Sequence, residues 1–207
     1  MLMEVISILD MSGSMSGLTN DTIGSYNTYL QKLRMQKKHE IYLTLVVFNT
    51  ESKIIYEHVN VKKVKNITTQ IYNPEGGTAL NDAIGIAITR TQQFIHKLKR
   101  RYVPKKVSFF IITDGEENSS RDYTNKDIKK MVTKSQKKDK WEYVFVGSNI
   151  DAVTAGEERG FKKERIANID NGGKGQYAAY GMAHDILMGD GKVDAQKLYN
   201  EAEKKIN

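Results

Sequence analysis

Five side chains, scattered over a hundred residues, carry the chemistry this chain could do. The run VISILDMSGSM (residues 5–15) ends an apolar stretch on Asp10 and follows it with Ser12 and Ser14 around Gly13. The run GGTAL sets Thr78 just past two glycines, and IITDGE ends a second apolar stretch on Asp114. Two carboxylates and three hydroxyls offer only hard oxygen, which suits Mg²⁺, Mn²⁺ or Ca²⁺ rather than zinc or copper. Such a cage bears little negative charge and leaves a position for an outside ligand, so an incoming Asp or Glu would bind the metal strongly. Asp and Ser after a strand also serve as caps and turn residues. DxSxS alone is therefore a weak signal, and the three stretches together carry the reading.

The elements around these residues alternate in type. Apolar, β-branched runs predict strands at 3–9, 41–48, 107–113 and 143–147, with a weaker one at 166–169. Residues 53–59 are more polar and alternate, which predicts an antiparallel edge strand after the turn 49–52. Helical spacing predicts helices from Thr19 to about Lys37, from about Leu80 to Leu98, at 125–138, 151–159, 176–188 and 194–205. Thr19, Asn20 or Asp21 would cap the first of these, and Ser148, Asn149 and Asp151 would cap the fourth. Residues 61–73 read as loop with one short helix. The expected fold class is α/β: a three-layer, doubly wound, mostly parallel sheet of about six strands with one antiparallel edge strand, Rossmann-like. Ligands of such sheets sit outside the carboxyl ends of the strands, where Asp10, Ser12, Ser14, Thr78 and Asp114 would meet.

DMSGS, GGTAL and ITDGE, in that order and approximate spacing, resemble the motif set of the von Willebrand factor type A (vWA) domain over residues 3–188. The resemblance implies a metal-ion-dependent adhesion site (MIDAS) holding Mg²⁺ or Mn²⁺. Ser12, Ser14 and Thr78 would touch the metal, and Asp10 and Asp114 would act directly or through water. The sixth position would take a carboxylate from a protein partner. In relatives the last helix can shift to alter affinity, and the glycines of residues 171–175 would permit movement. FVGSNIDA (residues 145–152) resembles a stretch in bacterial and phage-encoded members.

Bulk properties narrow the rest. A chain of 207 residues suits one domain, expected over 1–188, with 189–207 as a helical extension that packs on it or trails it. Gly189–Gly191 is a hinge or linker candidate. No cysteine means no disulfide and no thiolate metal site. No basic stretch precedes the first strand, and no apolar run is long enough to cross a bilayer, so the expectation is a soluble, cytoplasmic protein without membrane contact. The net charge of +7 is concentrated in residues 97–106, with six basic residues, and 126–140, with seven. No nucleic-acid-binding signature accompanies them, and they read as solvated helix faces.

The expected function is divalent-metal-dependent binding of an acidic protein partner, not catalysis. One alternative is an assembly protein of phage or bacterial origin whose metal braces a loop. Another is a nucleic-acid binder using the two basic stretches, and a third is a Mg²⁺-dependent phosphohydrolase of the haloacid-dehalogenase type. That chemistry needs a second carboxylate two positions after the nucleophile, where this chain has Ser12. His39, His58, His96 and His184 fall in no nucleophile or metal motif and are expected on the surface or on helices.

Overall fold

Alternation of side chains along the strands decides the layers. The computed structural model describes residues 1–189 and 193–206. Its strands are β1 (Leu2–Asp10), β2 (Glu40–Phe48), β3 (Ser52–Asn60), β4 (Lys106–Thr113), β5 (Glu142–Gly147) and β6 (Ile166–Asn168). They form one six-stranded sheet in the order β3-β2-β1-β4-β5-β6. The β2–β3 pair is antiparallel and the other pairs are parallel. The helices are α1 (Thr19–Arg34), α2 (Leu80–Lys97), α3 (Asn125–Lys138), α4 (Ala152–Glu158), α5 (Gly173–Met188) and α6 (Ala195–Lys204).

Successive strand residues point to opposite faces. Met3, Val5, Leu9, Leu43, Leu45, Phe110 and Val144 therefore face α1 and α5 in one core. Ile6, Ile8, Val46, Phe48, Phe109, Ile111 and Phe145 face α2 and α3 in the other. The central strands are apolar on both faces because both are covered, and β3 at the edge is only partly buried. This is the expected three-layer fold with its antiparallel edge.

Four local expectations change. Residues 13–18 form a 3-10 helix that runs on into α1. The start of α1 then has no side-chain cap, and Thr19 Oγ1 instead donates to the Ser16 carbonyl at 2.9 Å. That helix ends at Arg34 rather than near Lys37. The helix α5 begins at Gly173, so part of the glycine run is helical. A Cβ at Gly175 would lie 2.1 Å from the Asp170 carbonyl oxygen, so that glycine allows close packing rather than a bend.

The fourth change concerns His58, which is neither on a helix nor free on the surface. It lies in β3 at φ +50°, where the pairing with β2 is irregular. Its Nδ1 bonds the buried Glu4 Oε2 at 2.6 Å, and its ring sits between Tyr42 and Phe94, at centroid distances of 4.4 and 3.7 Å.

Asp151 caps α4, accepting from the Thr154 backbone N–H at 3.1 Å. The helix α6 packs on α5 and β6, with Tyr199 buried and Gln196 bonded both ways to the Asn168 backbone. The hinge candidate at Gly189–Gly191 lies, beyond its first residue, outside the described residues. Among the described residues no helix is long and apolar enough to cross a membrane.

Candidate metal centre

The loop after β1 is held before any ligand arrives. Asp10 ends the strand fully buried, and its Oδ1 accepts the Ser12 backbone N–H at 2.7 Å. Its Oδ2 accepts the Thr113 hydroxyl from the neighbouring strand β4, and its backbone carbonyl accepts the buried Tyr72 hydroxyl at 2.6 Å. The Gly13 N–H donates to the Gly76 carbonyl at 3.0 Å, and the Glu75 N–H to the Met11 carbonyl at 3.0 Å. The loop is thereby stapled to the segment that leads to Thr78.

Thr78 is clamped from the other side. Its N–H donates to Asn118 Oδ1 at 2.9 Å, and its carbonyl accepts from the Asn118 and Ser119 N–H groups. Glu117 braces the same loop, accepting from the backbone N–H groups of Asn81, Ser119 and Ser120. Asp82, in the first turn of α2, accepts from the N–H groups of Arg121, Asp122 and Tyr123. The entrance to α2 and the loop after β4 therefore form one braced unit.

All five oxygen-bearing residues meet at this rim. Ser12 Oγ lies 3.0 Å from Ser14 Oγ, and Ser14 Oγ donates to Asp114 Oδ1 at 2.6 Å. A Cβ at Gly115 would fall 2.9 Å from Thr78 Oγ1 and 3.5 Å from Ser14 Oγ. Both hydroxyls thus converge on a space beside Asp114 that only a glycine leaves open. Asp114 Oδ2 is buried without any hydrogen-bond partner. A buried carboxylate oxygen left bare is costly, and a cation would satisfy it. The residues present fit a hard divalent metal.

Charge agrees with that reading. Burial pushes the Asp10 carboxyl up to about 6, against the pull of its bonds from Ser12 and Thr113, and the nearby Asp114 raises it further. Burial also raises Asp114, partly offset by the Ser14 hydroxyl. Two carboxylates that burial holds against ionisation gain from a metal's positive charge. Among the described residues no group of three or more His, Cys, Asp and Glu is placed to hold a metal, so hydroxyls distinguish this site.

Sequence reasoning missed the supports. Thr113 precedes Asp114 directly, and a hydroxyl ending the strand beside β1 was the available signal. Tyr72, Asn118 and Glu117 had none, because their roles depend on how three loops fold over one another.

Comparison with known proteins bears on the whole chain. Residues 4–174 match the model of the von Willebrand factor type A domain. No curated protein matches the chain. Among solved structures, the vWF domain of the type V pili tip protein Mfa5 from Porphyromonas gingivalis aligns at 10% identity with a TM-score of 0.63. That alignment covers 92% of this chain and 97% of the other. The PilB minor pilin from Streptococcus sanguinis aligns at 13% identity and a TM-score of 0.63, over 90% of this chain and 61% of that one. Proximal thread matrix protein 1 from the mussel byssus, with zinc occupying its MIDAS motif, aligns at 10% identity and a TM-score of 0.63. It is covered over 47% of its length, and this chain over 89%. The present chain thus spans about half to three fifths of the last two proteins, and at these identities the likeness is one of fold. Since the matched segment takes in both strand-end loops and nearly the whole sheet, the chain belongs to the von Willebrand factor type A domain family.

Proposed function

We propose that this domain binds another protein through a divalent metal. Ser12, Ser14 and Thr78 supply hydroxyl ligands, Asp10 and Asp114 supply charge directly or through water, and a partner's Asp or Glu completes the coordination. The observation that carries the reading is the bare, buried Asp114 Oδ2 beside converging hydroxyls. An oxygen-only donor set of this kind suits Mg²⁺, Mn²⁺ or Ca²⁺. Two of the solved neighbours are pilus proteins, which agrees with a binding role.

Binding, not turnover, is the proposed activity. Both Asp10 oxygens are engaged by Ser12 and Thr113, and Ser12 occupies the place where a phosphohydrolase of the aspartate-nucleophile type keeps its acid–base carboxylate. Calorimetric titration with Mn²⁺ and Mg²⁺ tests the centre: the wild type binds one ion, and the double variant Ser14→Ala, Thr78→Ala binds none. A pull-down with Mn²⁺, repeated with EDTA, tests the partner role. Capture that survives both the chelator and the double variant would refute it. Release of phosphate from generic monoesters, abolished by Ser14→Ala, would replace it with the enzyme reading.

A further inference from the structure

The two basic runs, separate in sequence, meet in the fold. A pocket of about 420 Å³ is lined by Lys105 from the first run and by Lys134, Lys138 and Lys140 from the second, with His96 and Trp141. It opens beside Val107, one residue past the start of β4. That is about 20 Å along the strand from Thr113 and the metal centre.

Three features set these lysines apart from ordinary solvated charge. Lys126, Lys130, Lys134 and Lys138 recur every fourth residue along α3 and are all exposed. They make one ridge of about 6 Å steps over about 18 Å, ending in the pocket. Like charges at that spacing disfavour a helix; Asp127 and Asp139 are the neighbouring carboxylates, and among the described residues neither stands within ion-pair distance of the ridge. The ion pairs of the described residues use Arg90, Lys106 and two histidines, and none involves the ridge.

Favourable interaction with the helix C-terminus explains Lys137 and Lys138, whereas Lys126 sits in the first turn, where a cation opposes the helix dipole and the capping carboxylate Asp127 offsets it. Lys140 follows the C-cap residue Asp139 at φ +58°, a position that glycine usually takes. A side chain is kept there, at the rim of the pocket, against backbone preference.

We infer that this face binds nucleic acid through its phosphate backbone. A row of evenly spaced point charges matches evenly spaced phosphates, and lysine binds phosphate as a point charge. Lysine ridges carry no base-reading fork, so binding is independent of base sequence. The pocket end of the face lies at the opposite edge of the sheet from the metal centre, and the binding needs no metal.

Fluorescence anisotropy on the full chain, in EDTA throughout, tests this with labelled 20-mers of single-stranded RNA, single-stranded DNA and duplex DNA. If about four phosphates are neutralised, affinity falls about 50- to 150-fold between 50 and 200 mM salt. The double variant Lys134→Gln, Lys138→Gln loses at least tenfold in affinity and about 1.5 in the salt slope. Its thermal melting changes little, because relief of the repulsive ridge offsets the loss of Lys138 at the helix C-terminus. The distal pair Lys62→Gln, Lys63→Gln, also exposed, leaves binding as it was. The tightest of the three probes names the natural source, and equal binding of all three supports pure backbone recognition. The inference is overturned by no binding at 100 µM protein in 50 mM salt, by equal loss in the distal variant, or by a poly-glutamate peptide that binds as tightly.

Discussion

Glu4 and Asp10 stand at the two ends of β1, on the same face of the sheet, and both are buried. Around Glu4 the polar groups close on themselves. Oε1 accepts the Thr44 hydroxyl at 3.0 Å, Oε2 meets His58 Nδ1 at 2.6 Å, and Thr44 Oγ1 accepts the His58 N–H at 3.1 Å. Around Asp10 the chain of bonds runs outward instead, to Ser12, then Ser14, then Asp114 Oδ1, and stops at the bare Oδ2. A closed buried network holds a fold together, while one that ends on an unsatisfied oxygen awaits a ligand. Burial of a carboxylate alone would not have told these two sites apart.

The largest expected effect comes from opening the closed network. Glu4→Ala removes the acceptor of both Thr44 and His58, and leaving those two donors unpaired costs roughly 3 kcal/mol. Chemical denaturation should show that loss, with Mn²⁺ affinity unchanged when measured below the new melting temperature. A variant that melts like the wild type would mean that the Glu4 network is not what secures the bulged edge strand.

The carboxylate at the other end should give the opposite signature. Asp10 titrates at about 6 in the fold against 3.8 when exposed, chiefly through burial. The folded state therefore holds the proton more tightly than the unfolded chain. Its contribution to stability is fully present below pH 4, fades as pH rises through the folded value near 6, and amounts to about 3 kcal/mol over that window. Denaturation of the metal-free protein at pH 4 and pH 7 measures it, with Asp10→Asn as the reference. If the two proteins show the same pH slope, Asp10 is not held against its charge.

Asp114→Ala comes next. It deletes the unsatisfied oxygen, so the metal-free protein should be as stable as the wild type or more so. Its Mn²⁺ affinity should drop about 10- to 100-fold, the range seen when groups that charge or orient a metal site are lost. Loss of stability without loss of affinity would place Asp114 with Glu4, as a structural carboxylate.

The same comparison shows what was legible in the sequence. The sheet was, because strands buried on both faces read as apolar runs, and the edge strand alternates. The five oxygen-bearing residues were, because each follows an apolar run or a glycine pair at a junction where this class of fold keeps its ligands. The Glu4–His58 pair was not. It depends on the irregular pairing of β2 with β3 that turns residue 58 to positive φ, and no local pattern around EHVN announces that shift. The glycines of residues 171–175 read as freedom, but Gly173 and Gly175 pack as contact, against the Asp21 side chain and the carbonyl of Asp170. The convergence of the two lysine runs was likewise invisible until β4 and α3 were side by side.

Tyr72→Phe should have the smallest effect and draws the line between the two sites most finely. Its hydroxyl is buried and donates to the Asp10 backbone carbonyl, not to any candidate metal ligand side chain. Losing one such bond costs about 1 kcal/mol, the carbonyl being left without that donor. In a closed network like that of Glu4 the loss would stop at stability. Here the bond is one of the staples between the Asp10 loop and the segment carrying Thr78, beside the Gly13–Gly76 bond. Loosening it lets Ser12 and Ser14 drift from Thr78, so Mn²⁺ affinity should also weaken, by a few-fold, with full charge still present in the cage. Calorimetry and denaturation on the same sample separate the two effects. A variant that loses stability but keeps its affinity would show that the hydroxyl cage is organised by the metal on arrival and not by the staples before it.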